Sequence, residues 1–436
     1  MKKIISLILA VAFIALVLMP YINGRVAENA IHDLTQQLNA DSLQYGEVEI
    51  RQYERGMWAT DFGFKWAPGA SADAFIKEPL EFSCLGNHGT LGYSYQCKVL
   101  DVPAYTGFVN EYLAGYDPLT IGGNVSMFGT ITQSIALTSF EMIDREGELI
   151  KFQPASLSIS MDKNLSSFDI DGRLEGLKAQ GVGGEFVLDN IELDGKLRTN
   201  QHKLAIGGLT LKLNSVALAS EQDGTVTMNA LMMTSQTEEF GENIGLSYSL
   251  SIKDFERSAS VSSEKLDLTN FQGEFSIGGA NMVQVAKLAQ TFQLMSQLPE
   301  EERNAAMLTL FPSLESLFKT GLNVSANAGA DYKSEAVSGD AGIALVGDLR
   351  FSDFVLMGLD PNSFFSKFNA GLKVSLPQSL LDTNPQLADA LVGNPLYRKT
   401  EQGYTAEMKL ADNEVDLNGR AMSVEEMLTL LSQSAP

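Results

Sequence analysis

Histidine is scarce in this chain of 436 residues, which holds only three: His32, His88 and His202. Zinc sites take His and Cys ligands at short, regular spacings, and these three residues are too scattered to supply one. The chain also lacks the GxSxG, HExxH, P-loop and helix-entering GxGxxG motifs of hydrolases, metalloproteases and nucleotide-binding proteins. We therefore expect no metal, no cofactor and no enzymatic activity.

Positive charge is also in short supply, because 31 Lys and Arg face 54 Asp and Glu, for a formal net charge of −23. A surface of that sign repels phosphate backbones, so we expect no nucleic-acid partner. The hydrophobic share of 44% and the charged share of 19% are ordinary for a folded chain and argue against disorder.

A long apolar run is present at the N-terminus, where Ile4 to Met19 carries no charge and follows Lys2 and Lys3. With the next three residues it approaches the roughly 20 residues that a bilayer crossing needs. A cleaved signal peptide would share the basic start, but no A-x-A-like site follows the run. The pattern predicts a single-pass signal-anchor over residues 1–23. The positive-inside rule places its N-terminus in the cytoplasm and the rest of the chain outside.

Cysteine occurs twice, at Cys84 and Cys97, on either side of the turn-like sequence LGNHGTLG. Two strands joined across that turn would bring the two residues close enough to bridge. In an oxidising compartment such a disulfide stabilises the fold by about 2–4 kcal/mol. A catalytic Cys–His pair with His88 is the alternative, but cysteine nucleophiles come singly. We therefore predict a stapled hairpin.

Helical spacing of apolar residues marks residues 24–44, where Val26, Ala30, Leu34 and Leu38 recur at every fourth position. We predict a juxtamembrane helix there that continues the anchor. From residue 45 to residue 280 the pattern changes to period-2 alternation, as in ASLSISMD and LTLKLN, with Asp-Gly turns between the runs. Such alternation is typical of antiparallel sheet with one buried face.

Helices return in the mixed C-terminal region, residues 281–436. We predict one over 281–298, a second that Pro312 kinks or divides, short helices between residues 361 and 395, and a final helix whose start carries a Ser423–Glu426 capping box. The fold class predicted is α+β. An N-terminal transmembrane helix precedes a large, mainly antiparallel β-rich extracytoplasmic body, with helices packed on it toward the C-terminus.

Three motifs in order, YERGMWATDFGF, NHG and VDLNGRAMSVEEML, resemble the YdgA/YihF family. These are bacterial inner-membrane-anchored envelope proteins of unknown function. The resemblance implies a bacterial inner-membrane location, a body in the periplasm and self-association. It supplies no activity. Its candidate positions, structural or interacting rather than catalytic, are Tyr53, Arg55, Gly56, Asn87, His88, Gly89, Gly419 and Met422.

The function predicted is that of a non-enzymatic envelope protein whose periplasmic β-rich body acts in interaction or structural support at the inner membrane. The expected partners are the membrane, a second copy of the chain in a homodimer, and a lipid or an envelope protein. The alternative is a lipid-binding or lipid-shuttling protein with an apolar groove on a curled sheet. An apolar groove and an ordinary core show the same alternation, so the sequence leaves both readings open.

Overall fold

The structure is a computed structural model that describes residues 2–40, 46–69, 79–100, 102–222, 224–258, 265–296, 310–319, 321–334, 337–351, 365–383 and 385–434. Within these ranges, the side chains of residues 2–17 lie outside the described part. The described chain divides into two compact units. The first comprises residues 1–181 and 191–198, and the second comprises residues 182–190 and 199–436.

The first unit begins with a helix, α1 (Lys2–Ala40), which merges the predicted anchor and the predicted juxtamembrane helix into one element. Among the described residues, no helix combines the length and the hydropathy that crossing a bilayer requires. The described residues thus give no support to the predicted transmembrane segment over residues 1–23. Most of its side chains lie outside the described part.

Among the described residues, ten strands, part of an eleventh and one further helix complete the first unit. The ten strands and the helix are β1 (Glu47–Arg55), β2 (Ala59–Ala67), β3 (Leu80–His88), β4 (Gly92–Leu100), α2 (Pro103–Tyr112), β5 (Leu119–Ser126), β6 (Ile131–Leu137), β7 (Phe140–Ile143), β8 (Leu149–Phe152), β9 (Ala155–Met161) and β10 (Ser167–Gly181). The sheet order is β1–β2–β3–β4–β5–β6–β9–β10, antiparallel throughout. β8 pairs with the second half of β10, and β7 pairs with β8.

The core of the first unit lies between α1 and the sheet. Side chains on β3 and β4 alternate between buried and exposed along most of their length. The buried set packs with Ala27 of α1, which is fully buried. A helix laid on one face of a half-buried antiparallel sheet produces this alternation, because successive side chains point to opposite faces.

The second unit is built on longer strands. β11 (Gly184–Thr199) is divided between the units. The others are β12 (Ala205–Ser220), β13 (Gly224–Phe240), β14 (Asn243–Ser258), β15 (Lys265–Asn281), β16 (Asn323–Ser334), β17 (Val337–Phe351), β18 (Phe368–Pro377), β19 (Arg398–Thr400), β20 (Gly403–Ala411), β21 (Glu414–Leu417) and β22 (Arg420–Ser423). The antiparallel order is β12–β13–β14–β15–β16–β17–β18–β20. β20 also pairs with β19 and β21, and β22 pairs with β21.

The described helices of the second unit are α3 (Met282–Ser296), α4 (Phe311–Lys319), α5 (Gln378–Thr383), α6 (Pro385–Leu391) and α7 (Val424–Ser434), with a 3₁₀ turn at Phe365–Lys367. The predicted kink or division at Pro312 is not tested, because residues 301–309 before it lie outside the described part. Pro312 is the second residue of α4, where a missing N–H costs nothing. The short helices predicted between residues 361 and 395 are partly wrong, since Phe368–Pro377 is a strand with period-2 alternation.

Candidate functional site

The motif residues of the first unit gather around the middle of α1. Tyr53 and Arg55 lie near the end of β1, Gly56 follows in the β1–β2 turn, and Asn87 and His88 close β3. Neighbouring hairpin turns of one sheet end are side by side, so residues 27 or more positions apart in sequence come together. We call the contact region of Asn23, Gly24, Thr60, His88 and Gly89 the helix-docking cluster.

His88 is the polar centre of the cluster and is only 6% exposed. Its Nδ1 lies 3.0 Å from the carbonyl oxygen of Met57, and its Nε2 lies 2.6 Å from Oγ1 of Thr60. A carbonyl oxygen can only accept, so Nδ1 carries the proton. In the neutral ring, Nε2 then accepts the Thr60 hydroxyl. Both ring nitrogens are satisfied, as a buried polar side chain requires.

Helix α1 approaches this histidine through two small or polar residues. Asn23 donates from Nδ2 to the carbonyl oxygen of Gly89 at 2.7 Å, and it is 3% exposed. Gly24 packs directly on the imidazole: a Cβ added there would lie 2.4 Å from Cε1 of His88. Only glycine allows this approach, since real Cβ atoms do not come so near. The NHG turn and the Asn23–Gly24 pair therefore form one joint, by which we mean a fixed contact between α1 and the sheet.

A second joint lies one turn further along the helix. Nη1 of Arg55 lies 2.6 Å from Oε2 of Glu28, and the Arg55 guanidinium sits 5.1 Å from the ring centre of Tyr21. Arg55 thus bridges two positions of α1, with an ion pair on one side and a cation–π contact on the other. Both charged side chains are partly buried, so this ion pair should contribute more to stability than a fully exposed one.

A third joint lies at the far end of the sheet. Asn39 donates from Nδ2 to the carbonyl oxygen of Val48 and accepts the Val48 amide at Oδ1, both at 2.8 Å. Glu28 meets the last residue of β1 and Asn39 meets the second, so α1 runs antiparallel along that strand. Three joints over residues 23–39 hold the helix to the sheet.

Aromatic side chains fill the space beneath the helix. The Tyr53 ring lies 5.9 Å from that of His32 and 5.8 Å from that of Phe62, and Phe62 meets Tyr95 edge-on at 5.6 Å. Burial raises the pKa of Tyr53 from 10.0 to about 12, with the Glu28 carboxylate adding to the rise. Burial likewise raises the pKa of Tyr93, which is 1% exposed. These phenols stay neutral at physiological pH.

The cysteines occupy the same core. Cys84 and Cys97 are directly opposite in the β3–β4 register and form a disulfide, with both side chains buried. His88 lies four residues beyond Cys84 and contacts Thr60 instead. Asn87, on the outer face, is exposed.

The chemistry open to this cluster is limited by access. Thr60 Oγ1 and His88 Nε2 form a hydroxyl–imidazole pair, but Thr60 is 1% exposed and α1 covers the histidine. A substrate would have to displace the helix to reach it. Within the described residues, no group of three or more His, Cys, Asp or Glu side chains could hold a metal ion.

The last two motif residues belong to the second unit. Gly419 has a φ of +85° and follows Asn418, whose φ is +56°, so the pair forms the two-residue turn between β21 and β22. That is the Asn-Gly hairpin geometry, rather than a corner leading straight into a helix. Met422, 9% exposed, packs in a cluster with Val415, Leu417 and Met427. Ser423 and Glu426 exchange backbone hydrogen bonds in a capping box at the start of α7.

Sequence reasoning missed Asn23, Gly24 and Thr60. The Asn-Gly dipeptide reads as a turn by composition, yet here it lies inside a helix. The usable signal was its position directly after the apolar run, where a small residue permits close packing. Thr60 gave no separate signal, because half of the strand threonines in such a sheet face solvent.

Comparison with known proteins returns a family and nothing narrower. No curated protein and no solved structure matches the chain. A family model described as a bacterial protein of unknown function, DUF945, matches residues 1–425. The match spans both units, from α1 to the start of α7, and so includes all three joints and the Asn-Gly turn. The chain belongs to the DUF945 family of bacterial proteins.

Proposed function

We propose that the protein is a non-enzymatic, single-pass protein of the bacterial inner membrane, with its N-terminus in the cytoplasm and its body in the periplasm. The charge-free run from Ile4 to Met19 after Lys2 and Lys3 supports the anchor. The Cys84–Cys97 disulfide supports an oxidising compartment. The three motifs in order support a place among YdgA/YihF-like proteins.

The role is structural support, and one observation carries it: α1 is held to the sheet at three joints between residues 23 and 39. An anchor that only tethers a domain needs no such contacts, because a flexible linker would serve. Fixing the helix to the sheet instead sets the orientation of the first unit relative to whatever holds residues before Asn23. The protein would thus present a periplasmic surface to a partner, a second copy or an envelope protein, at a set angle to the membrane.

The first experiment tests location on the full chain. Membranes from expressing bacteria are extracted with alkaline carbonate, and intact spheroplasts are treated with protease. The body should remain in the membrane pellet and be digested from outside. Release by carbonate, or protection from protease in intact spheroplasts, would overturn the proposed location.

Hydrogen exchange measured by mass spectrometry on the detergent-solubilised chain tests the rigid joint. The amides of residues 24–39 should exchange as slowly as those of β3 and β4. Exchange from α2, whose ion pair between Glu111 and Arg145 is exposed, is the comparison. Fast exchange over 24–39 would reduce α1 to a tether and remove the structural role.

A second candidate is binding of lipid acyl chains, and one face of the second unit favours it. In the register, Tyr248, Phe275 and Leu372 belong to one cross-strand row, and Met233 and Leu345 belong to the next row on the same face. These five apolar side chains are 38–47% exposed. The same strands place Ser249, Glu274 and Lys373 on the opposite face. An amphipathic sheet whose apolar rows meet solvent fits an apolar ligand.

Native mass spectrometry of the full chain, released from mild detergent, tests this candidate alongside lipid extraction. Bound phospholipid at fixed stoichiometry that Phe275→Ser removes and Glu274→Ser retains would promote it. The two substitutions are adjacent on β15 but on opposite faces. A lipid-free mass in the wild type would remove it, and the same spectrum reports monomer or dimer.

A further inference from the structure

Three hairpin tips of the first unit carry unusually exposed apolar side chains. They are Met57 and Trp58 in the β1–β2 turn, Leu91 in the β3–β4 turn, and Met127 and Phe128 in the β5–β6 turn. Their exposed fractions are 44%, 53%, 77%, 36% and 85%. We call these five residues the hairpin rim. Turns are normally polar, so apolar tips on three of them need a physical reason.

The three tips form one continuous edge. His88, at the end of β3, donates its amide to the carbonyl oxygen of Trp58 at 2.8 Å, and Met127 donates its amide to that of Leu91 at 3.2 Å. The order β1 to β6 is an antiparallel meander, so its odd-numbered turns all lie at the same sheet end. The rim is therefore a single apolar surface.

Helix α1 leaves the body at this same end. Asn23 binds the Gly89 carbonyl in the middle tip, and residues before it extend past the rim. Leu18, Tyr21 and Ile22 are 48%, 41% and 49% exposed there. At 1.5 Å per residue, the helix from residue 3 to residue 22 covers about 30 Å, the thickness of a hydrocarbon core. The rim thus lies where the membrane surface would meet the body.

The charged side chains beside the rim also fit a contact with a membrane surface. The chain as a whole is strongly acidic, yet two exposed cations stand beside the rim. Arg25 follows the Asn23 joint on α1, and the side chain of Lys163 lies against Gly129 in the β5–β6 turn. Cations at this level can meet lipid phosphates, while Trp, Phe and Leu prefer the boundary between headgroups and acyl chains.

We propose that the hairpin rim is a second membrane-contact surface, inserted into the interface of the same bilayer that α1 enters. This inference rests on the proposed anchoring of α1. The rim adds a second line of attachment beside the helix and so fixes the tilt of the first unit on the membrane. A single helix can still tilt in the bilayer and carry the first unit with it, whereas a helix and a rim of three tips limit that tilt.

The two tryptophans of the chain provide a built-in test, because Trp58 is in the rim and Trp66 is near the other end of β2. Eight residues of strand separate them by about 26 Å. The full chain is reconstituted in phosphatidylethanolamine–phosphatidylglycerol vesicles containing brominated phosphatidylcholine, which quenches only nearby fluorophores. Flotation with the vesicles is measured on the same samples.

The expected result is lipid quenching in the wild type that Trp58→Phe abolishes and Trp66→Phe preserves. If the chain floats but lipid does not quench Trp58, the proposed membrane contact of the rim is wrong. The proposed anchoring by α1 would be unaffected. If neither lipid bromine nor aqueous acrylamide quenches Trp58, the rim contacts a protein partner or a second copy. That result would also overturn the proposed membrane contact. A chain that fails to float would overturn the anchoring and the rim together.

A second pair of variants removes dependence on the tryptophan substitutions. Leu91→Ser with Phe128→Ser should at least halve the Trp58 lipid quenching, whereas Ile143→Ser, 64% exposed on β7, should not change it. All three positions are exposed, so folding is not at issue. Equal quenching in both variants would overturn the rim.

Discussion

The two units use the same alternating strands but cover their apolar faces to different extents. In the first, nine-residue strands lie under α1, and Phe62, Phe82, Tyr93 and Tyr95 are each less than 10% exposed. In the second, strands of 12–17 residues leave Tyr248 almost half exposed. Alternation determines which side chains share a face. Whether that face becomes a core depends on a covering layer, and α1 supplies one in the first unit.

Truncating one phenylalanine in each unit would sharpen this contrast most. We expect Phe62→Ala, 5% exposed, to cost about 3–5 kcal/mol, because it opens a cavity under the helix. Phe275→Ala, 38% exposed, should cost less than about half of that, because much of its ring already meets solvent. Denaturant titration, monitored by peptide-resolved hydrogen exchange, measures the unfolding free energy of each unit separately. Equal costs would mean that something covers the apolar face of the second unit.

Removing the disulfide should be the next largest effect and confined to the first unit. Cys84→Ala with Cys97→Ala releases a loop of 13 residues, for which chain entropy gives about 3 kcal/mol. Both tryptophans lie in the first unit, so their fluorescence follows its unfolding. Exchange in β13 and β14 is the internal control. A matching loss there would show that the units unfold as one.

Gly24→Ala tests the helix joint through the sign of its effect. In an ordinary helix this change stabilises by about 0.5–1 kcal/mol. Here the new methyl group would meet the His88 ring, so we expect a loss of about 1–2 kcal/mol from overpacking.

Asn29→Ala, at an exposed position of α1, is the control, and tryptophan fluorescence during urea titration is the measurement. In the His88→Ala background, Gly24→Ala should cost less than in the wild type, because the methyl group then has room. A stabilised Gly24→Ala protein would rule out the close contact.

Tyr53→Phe should have the smallest effect on the free energy of unfolding at neutral pH. Its effect should become large only in alkali. The folded-state pKa of Tyr53, about 12, exceeds the unfolded value of 10.0, so the unfolded chain loses this proton first. The contribution of Tyr53 to stability is therefore fully present below pH 10 and is lost between pH 10 and 12. Tyr53→Phe should flatten the corresponding fall in stability in the fluorescence-detected unfolding of the first unit, while Tyr248→Phe should not. An unchanged slope in Tyr53→Phe would contradict the buried phenol.

Much of the local structure was predictable from residues close in sequence. Period-2 alternation predicted the strands around Leu157 and Leu209, turn residues predicted a hairpin between the cysteines, and the Ser423–Glu426 pair predicted the start of α7. These signals succeed because each depends on contacts within one element or one hairpin. Phe368–Pro377 was missed because its flanking prolines outweighed its alternation.

The strands, the hairpin with its disulfide register and the last helix cap could be read from residues close in the chain, since local geometry decides each of them. The burial of His88 and its contact with Gly24 depend on tertiary packing, because 64 residues separate them and no periodicity links a helix to a turn. Tertiary packing also places the apolar tips in a line beside the helix exit. Burial depends on what packs from elsewhere in the chain, and that information is not local.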